Sequence, residues 1–381
     1  AEHFELHDRF HRDDHDLAGL LEREDGSVLA VYGKHNNDKL QRWRISGKDG
    51  DVSQWSAEKT LDVGARYTYS NVFRLSEEDG KIYNFHRGIG WNPNCTVSTD
   101  DGESWSYGWR LFDWSRGSVK GDPKYTGTDG GRPYVRYASN DRDAIHFVTS
   151  EDHPRAYDNS IYHGFYRAGK LHASDGTVVG EPGAKGKSKL KPTEFTQVFE
   201  GDRDHVAWTV DLELDDQERP YTVFSVQVDG AKYRGKRSQK AGLDHRYYYA
   251  RYDGKNWHVN EAAYAGTKLY AKENDYTGLA ALDPDDPTTM VISTNTHPVN
   301  GEPLISESDG KRHWELFKGT TADGGKTWNW VALTQNSDTD NLRPLIPENP
   351  DGERHILWCR GKFHSYKNYD LDICIISEKR K

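Results

Sequence analysis

The chain has 381 residues, of which 34% are hydrophobic and 12% aromatic, with 36 glycines and a single methionine. Its formal net charge of −10 argues against a nucleic-acid partner, because proteins that bind nucleic acids present a basic surface. No apolar run is long enough to cross a membrane, and the many aromatic residues argue against a disordered chain.

Short alternating segments separated by Asp-Gly pairs predict β-strands along the chain. Residues 27–32, 81–85 and 221–226 are segments of this kind. The neighbouring pairs, such as Asp25-Gly26 and Asp79-Gly80, favour tight hairpins because glycine adopts a positive φ at little cost. Since no longer segment carries a helical apolar stripe, the sequence predicts an all-β protein.

Two turns fit the Asp-box pattern Ser/Thr-x-Asp-x-Gly-x-x-Trp of β-propeller hairpins. They are Ser98-Thr-Asp-Asp-Gly-Glu-Ser-Trp105 and Thr321-Ala-Asp-Gly-Gly-Lys-Thr-Trp328. Such repeats are typical of propeller blades, and 381 residues at roughly 50 residues a blade gives about seven blades. We therefore predict a seven-bladed β-propeller that forms one catalytic domain over residues 1–381.

A series of motifs in a fixed order carries a family resemblance. The motifs are Asp13-Asp-His-Asp16, Tyr32-Gly-Lys-His-Asn36, Tyr67-Thr-Tyr-Ser-Asn71, Ile82-Tyr-Asn-Phe-His-Arg-Gly88, Trp91-Asn-Pro93, Arg132-Pro-Tyr134, Asp152-His-Pro-Arg155, Asn159-Ser-Ile-Tyr-His163, Asp275-Tyr-Thr-Gly278 and Asn341-Leu-Arg-Pro344. Together they resemble the BNR-repeat propellers that include ulvan lyases and related rhamnosyl-glucuronate lyases, some members of which are glycoside hydrolases. The resemblance implies action on an anionic polysaccharide of rhamnose and uronic acid.

A lyase of this kind needs a cation for the uronate carboxylate, a base for the C5 proton and an acid for the leaving oxygen. The resemblance assigns these tasks to His15, His35, Tyr69 and Arg87, with His35 and Tyr69 sharing the base and acid work. Arg87 would neutralise the carboxylate, and His15 would assist or hold substrate. His86, beside Arg87, should face the opposite way by strand alternation.

Two further residues, Arg132 and Tyr134, are predicted to bind the sugar. No cofactor is required for the elimination.

The same resemblance suggests a structural zinc, because related ulvan lyases hold zinc with His and Cys ligands. Cys95, His153 and His163 are the candidate ligands, although a closed zinc site needs a fourth. Calcium is the other candidate metal, from the many Asp-rich turns.

Three functions remain open. The first is a lyase on ulvan, the second a glycoside hydrolase or exo-lyase on rhamnose–glucuronate linkages, and the third a carbohydrate-binding propeller without catalysis. The chain begins at Ala1, so we expect a secreted or periplasmic monomer whose signal peptide has been removed. We expect no nucleic-acid or membrane partner.

Overall fold

The computed structural model describes residues 4–8, 12–115, 121–126, 130–184, 187–229, 240–271, 273–349 and 352–380. In these residues the chain forms 26 strands in six antiparallel sheets, with short 3-10 turns at Ser76–Glu78, Ile89–Trp91 and Pro192–Glu194. No helix among them is long and apolar enough to span a membrane. The all-β prediction is confirmed.

The first three sheets are built from the N-terminal half of the chain. The first contains β1 (Gly19–Glu22), β2 (Val28–Tyr32), β3 (Leu40–Ile45) and β4 (Lys59–Asp62). The second contains β5 (Thr68–Leu75), β6 (Lys81–Arg87), β7 (Pro93–Ser98) and β8 (Ser106–Arg110), with β14 (Gly183–Ala184) on its edge. The third contains β9 (Val135–Ser139), β10 (Ala144–Thr149), β11 (Ile161–Arg167), β12 (Lys170–Ala173) and β13 (Val178–Gly180), while β15 (Thr196–Phe199) also pairs with β11.

The last three sheets follow in chain order. The fourth contains β16 (Val206–Leu214), β17 (Pro220–Gln227), β18 (His245–Tyr252) and β19 (Trp257–Gly266). The fifth contains β20 (Ala280–Asp283), β21 (Asp286–Thr294), β22 (Glu315–Thr320) and β23 (Asn329–Ala332). The sixth contains β24 (Asp340–Leu345), β25 (Glu353–Ser365) and β26 (Asn368–Lys379).

The prediction of seven blades is wrong, because the described residues form a propeller of six sheets. Six sheets in 381 residues means about 64 residues a sheet, against the roughly 50 assumed from blade repeats. Long connections, such as residues 111–134 between β8 and β9, and a hairpin of 13- and 12-residue strands at the end account for the difference.

Five apolar clusters each join two consecutive sheets. Leu29 and Val31 of the first sheet, for example, pack with Val72 and Ile82 of the second. Similar clusters join the second to the third, the third to the fourth, the fourth to the fifth and the fifth to the sixth sheet. Sheets stacked in this way bury both faces, so the central strand β17 is buried along its whole length.

The turns predicted as Asp boxes are closed by their own side chains. Asp100 Oδ1 accepts a hydrogen bond from the Ser104 amide at 2.9 Å, and the Gly102 amide donates to Ser98 Oγ at 2.9 Å. Gly102 has φ +85°, and a Cβ added there would lie 2.7 Å from a Leu29 side-chain atom. This turn therefore packs directly on the core between the first two sheets.

The segment before β1 contacts the last sheet. The Asp14 amide donates to the carbonyl oxygen of Tyr366 at 3.0 Å, and the Asp14 carboxylate forms an ion pair with Arg343. The guanidinium carbon of Arg12 lies 5.2 Å from the centre of the Tyr369 ring. Residues 12–16 consequently lie between the first and the sixth sheet.

Candidate active site

The four predicted catalytic residues are brought together. His15 precedes β1, His35 follows β2, Tyr69 lies near the start of β5 and Arg87 ends β6. The two histidine rings stack with centroids 4.0 Å apart, and Arg87 Nη2 lies 3.5 Å from His35 Nε2. The guanidinium carbon of Arg87 is 4.9 Å from the Tyr69 ring. The first two sheets thus supply one compact cluster.

Irregular backbone orients this cluster. Tyr69 has φ +66°, in the left-handed region, and lies in a register shift of the β5–β6 pairing between Thr68 and Asn71. Bulges of this kind redirect a side chain, and a left-handed residue other than glycine costs about 1–3 kcal/mol. On the neighbouring turn, the His35 amide donates to Asp16 Oδ1 at 2.7 Å.

Asp13 contacts the Nδ1 atom of each histidine. Its Oδ1 lies 2.6 Å from His15 Nδ1 and its Oδ2 lies 2.9 Å from His35 Nδ1, while Asp14 Oδ1 lies 2.7 Å from His15 Nδ1. On the other side of its ring, His35 Nε2 faces Arg87, and a guanidinium only donates. His35 is therefore assigned the tautomer with its proton on Nδ1 and a lone pair on Nε2.

The surroundings shift the pKa values of the two histidines in opposite directions. Burial opposes the charge on His15, but hydrogen bonds to Asp13 and Asp14 outweigh it and raise the pKa of His15. Burial lowers the pKa of His35; the hydrogen bond to Asp13 opposes this shift, while the neighbouring charges of His15 and Arg87 add to it. These shifts favour the charged form of His15 and the neutral form of His35.

Arg87 supplies a buried cation with unused donors. Its side chain is held among the rings of Tyr69, Trp91 and Tyr134, with ring centres 4.9, 5.4 and 5.7 Å from the guanidinium carbon. Its Nε and Nη1 atoms are buried and have no hydrogen-bond partner in the part of the chain that the structure describes. Burial also raises the pKa of Tyr69, so that its hydroxyl stays protonated and able to donate.

The two predicted sugar-binding residues have different surroundings. Tyr134 lies beside Arg87 and packs edge-to-face on Trp208, with ring centres 5.1 Å apart. Arg132 is fixed by its backbone amide, which donates to Asp152 Oδ1 at 3.2 Å. Among the described residues, no contact is found between the Arg132 side chain and the catalytic cluster.

Sequence reasoning assigned no role to a second layer of the site. Arg343 Nη2 donates to the hydroxyl of Tyr276 at 3.0 Å and forms the ion pair with Asp14. Like Tyr69, Arg343 has a positive φ (+55°) at a register shift. Tyr276 and Arg343 both lie inside motifs that carry the family resemblance. Their position in these motifs is the sequence signal that could have identified them as part of the site.

The predicted zinc ligands do not share a site. Cys95 is a buried thiol that donates to the Thr96 carbonyl, and burial raises its pKa well above the usual value, which disfavours the thiolate that zinc needs. The ring nitrogens of His163 contact His146 Nδ1 at 3.1 Å and Ser174 Oγ at 2.8 Å. These residues do not fit a zinc site.

Within the described ranges, two groups of side chains are close enough to hold a metal ion. One is Asp13 with His15 and His35, which the hydrogen bonds above already explain. The other is His153 with Glu273 and Asp275. There the Arg155 amide donates to His153 Nδ1 at 3.2 Å, so in the neutral ring Nε2 carries the proton and faces Glu273 at 3.7 Å. Arg155 also pairs with Glu273 at 3.0 Å, and the group forms a network of ion pairs.

Comparison with known proteins agrees with this architecture. Residues 2–265 match the model of the BNR repeat-containing family, and the chain belongs to that family. A solved ulvan lyase of a new polysaccharide lyase family has 15% identity and a TM-score of 0.65, over 97% of this chain and 80% of that one. A second structure of that kind is bound to –[GlcA(1-4)Rha3S]–. The polysaccharide lyase Uly1 has 10% identity and a TM-score of 0.52, over 95% of this chain and 77% of that one.

At these identities the similarity shows the fold alone. A comparison with curated proteins finds no match.

Proposed function

We propose that the protein is a polysaccharide lyase that cleaves the rhamnose–uronate linkage of an anionic, ulvan-like polymer by β-elimination. The observation that carries the proposal is the cluster of a neutral His35, a charged Arg87 with unused donors and a protonated Tyr69 within one site. These are the base, the cation and the acid that elimination requires.

Arg87 binds the uronate carboxylate in this proposal. Its Nε and Nη1 groups are buried and have no partner among the described residues, so the substrate must displace the rings around them to reach these donors. His15, a second cation when protonated, stacks on the face of the His35 ring. Hydrogen bonds to a carboxylate withdraw charge from the adjacent carbon and make the C5 proton acidic.

His35 removes that proton. Its Nε2 lone pair is 3.5 Å from Arg87 Nη2, so a carboxylate bound by Arg87 brings C5, the neighbouring carbon, close to the base. The electrons of the C5–H bond form a C4–C5 double bond, and the C4–O4 bond breaks. Tyr69 then gives its proton to the departing oxygen and regains one from solvent.

The geometry favours elimination over hydrolysis. Glycoside hydrolases commonly use two carboxyl groups, one of which is a protonated acid with a raised pKa. The carboxylates nearest the cluster are Asp13 and Asp14, and despite burial their hydrogen bonds to His15 and other partners lower both pKa values. Neither carboxyl group suits the role of a proton-donating acid.

The substrate class rests on the family resemblance and on the ligand of the structural neighbour. A secreted or periplasmic location is part of this proposal.

Incubation with ulvan tests the proposal. A rise in ultraviolet absorbance from the unsaturated uronate, with a double bond at the new non-reducing end, is expected. Saturated products would indicate the hydrolase, and binding without any products would indicate a non-catalytic propeller. The Tyr69→Phe variant is the control, since it keeps the ring and removes the acid.

A further inference from the structure

The side chain of Asp13 is almost fully buried, with 1% of its surface exposed, and it lies beside the Nδ1 edges of two stacked histidine rings. One carboxylate oxygen contacts His15 Nδ1 at 2.6 Å and the other contacts His35 Nδ1 at 2.9 Å. Because an ionised carboxylate only accepts hydrogen bonds, each contact requires a proton on the facing Nδ1. Asp13 thus favours a proton on Nδ1 of both histidines, and Asp14 shares the contact to His15.

Other charged and titratable groups also face this pair. On the same segment these groups are Asp14 and Asp16. The packed strands and turns add Tyr69 of β5, Arg87 of β6 and Tyr366 between β25 and β26, and Arg343 of β24 pairs with Asp14. Of the carboxylates among these neighbours, Asp14 contacts the ring of His15 and Asp16 accepts a hydrogen bond from the backbone amide of His35. Asp13 is the carboxylate that contacts both rings.

We infer that Asp13 is a positioning residue whose two oxygens hold His15 and His35 by Nδ1–H and leave the Nε2 atom of His35 as the site's proton acceptor. This inference deepens the proposed function, on which its catalytic part rests. The proton positions themselves do not depend on any activity.

The Asp13→Asn variant separates this role from simple packing. An asparagine has the same shape, but its amide offers one accepting oxygen and one donating NH₂ group. It can therefore accept Nδ1–H from only one histidine. The Nδ1 of the other histidine must face the NH₂ group with a lone pair, so that the proton of that ring lies on Nε2. The matched control is Asp14→Asn, which removes a negative charge beside His15 and does not touch the His35 ring.

Nitrogen NMR of the full chain labelled with ¹⁵N-histidine reads the proton positions directly. The signals are assigned by their loss in His15→Gln and His35→Gln variants. In the unaltered protein above the pKa of His35, we expect a protonated Nδ1 and an unprotonated Nε2 on His35. Asp13→Asn should remove the proton from Nδ1 of one of the two rings, while Asp14→Asn should leave the proton positions of His35 unchanged.

An Nε2–H tautomer of His35 in the unaltered protein overturns the inference, and this measurement decides it even if Asp13→Asn does not fold. Unchanged tautomers in a folded Asp13→Asn variant also overturn it.

Kinetics distinguish this failure from failure of the proposed function. If the protein cleaves ulvan, Asp13→Asn should lower kcat by at least about tenfold with little change in KM, because tautomer errors act on the chemical step. An active Asp13→Asn variant with an unchanged kcat and pH profile contradicts the positioning role. If no polymer is cleaved but the NMR pattern holds, the proposed lyase reaction fails and the proton assignment stands.

Discussion

Replacement of Arg87 by methionine tests the central cation of the site. Methionine keeps an unbranched apolar stem among the three aromatic rings but removes the guanidinium. Two of its nitrogens, Nε and Nη1, have no hydrogen-bond partner within the described ranges, and we expect them to bind the uronate carboxylate. A hydrogen bond to a charged group contributes about 1.5–3 kcal/mol, so loss of two costs about 3–6 kcal/mol. We therefore expect kcat/KM on ulvan to fall by about 10²- to 10⁴-fold.

The assay follows the absorbance of the unsaturated uronate at several polymer concentrations. Arg87→Lys keeps a compact charge and should fall between methionine and the unaltered protein. Arg142→Met is the matched control, because Arg142 is an exposed arginine that pairs with Glu77 and Glu218 away from the site. A folded Arg87→Met variant within tenfold of normal kcat/KM would refute the assignment of Arg87 to the carboxylate.

Three further outcomes are expected. Tyr69→Phe should lower kcat by about 10²- to 10⁴-fold with KM nearly unchanged, because it removes only the donated proton; normal kcat assigns the acid elsewhere. Activity should fall as pH drops through the lowered pKa of His35, which must be neutral, and as pH rises through the raised pKa of His15, which must be charged. His15→Gln removes the like charge, so the acid limb of the pH–rate profile should move to higher pH; a limb that stays in place contradicts the coupling. Gly102 and Gly176 have nearly the same positive φ (+85° and +86°), but only at Gly102 would the Cβ of an alanine meet a side chain, that of Leu29 at 2.7 Å. Urea unfolding should show Gly102→Ala less stable by about 1–3 kcal/mol, and equal losses would contradict the packing.

The order of motifs predicted which four side chains lie together, whereas the division of the chain length predicted the wrong number of blades. His15, His35, Tyr69 and Arg87 come from consecutive elements, and the ends of consecutive propeller sheets meet at the same face. A blade count depends instead on an average repeat length. A long connection and an extra strand look alike in a length calculation, which is why division gave seven instead of six.

The rest of the site depends on contacts that a linear pattern does not encode. Arg343 reaches Asp14 only because the last sheet lies beside the N-terminal segment. Asp13 was visible as one of several acids around His15, but its bridge to His35 depends on the stacking of two turns. The residues predicted to bind zinc do not form a group close enough to hold a metal ion among the described residues, since Cys95 lies on β7 of the second sheet and His163 on β11 of the third.

The segment at residues 12–16 links catalysis to the integrity of the whole ring. It carries His15 and Asp13, and it is also fastened to the last sheet through Asp14 and Arg343. A protease cut or local melting that releases the last hairpin would therefore free the histidine pair while the first two sheets remain folded. Those two sheets provide or adjoin every predicted catalytic side chain, yet they should be inert when isolated, and turnover should disappear before the main unfolding transition.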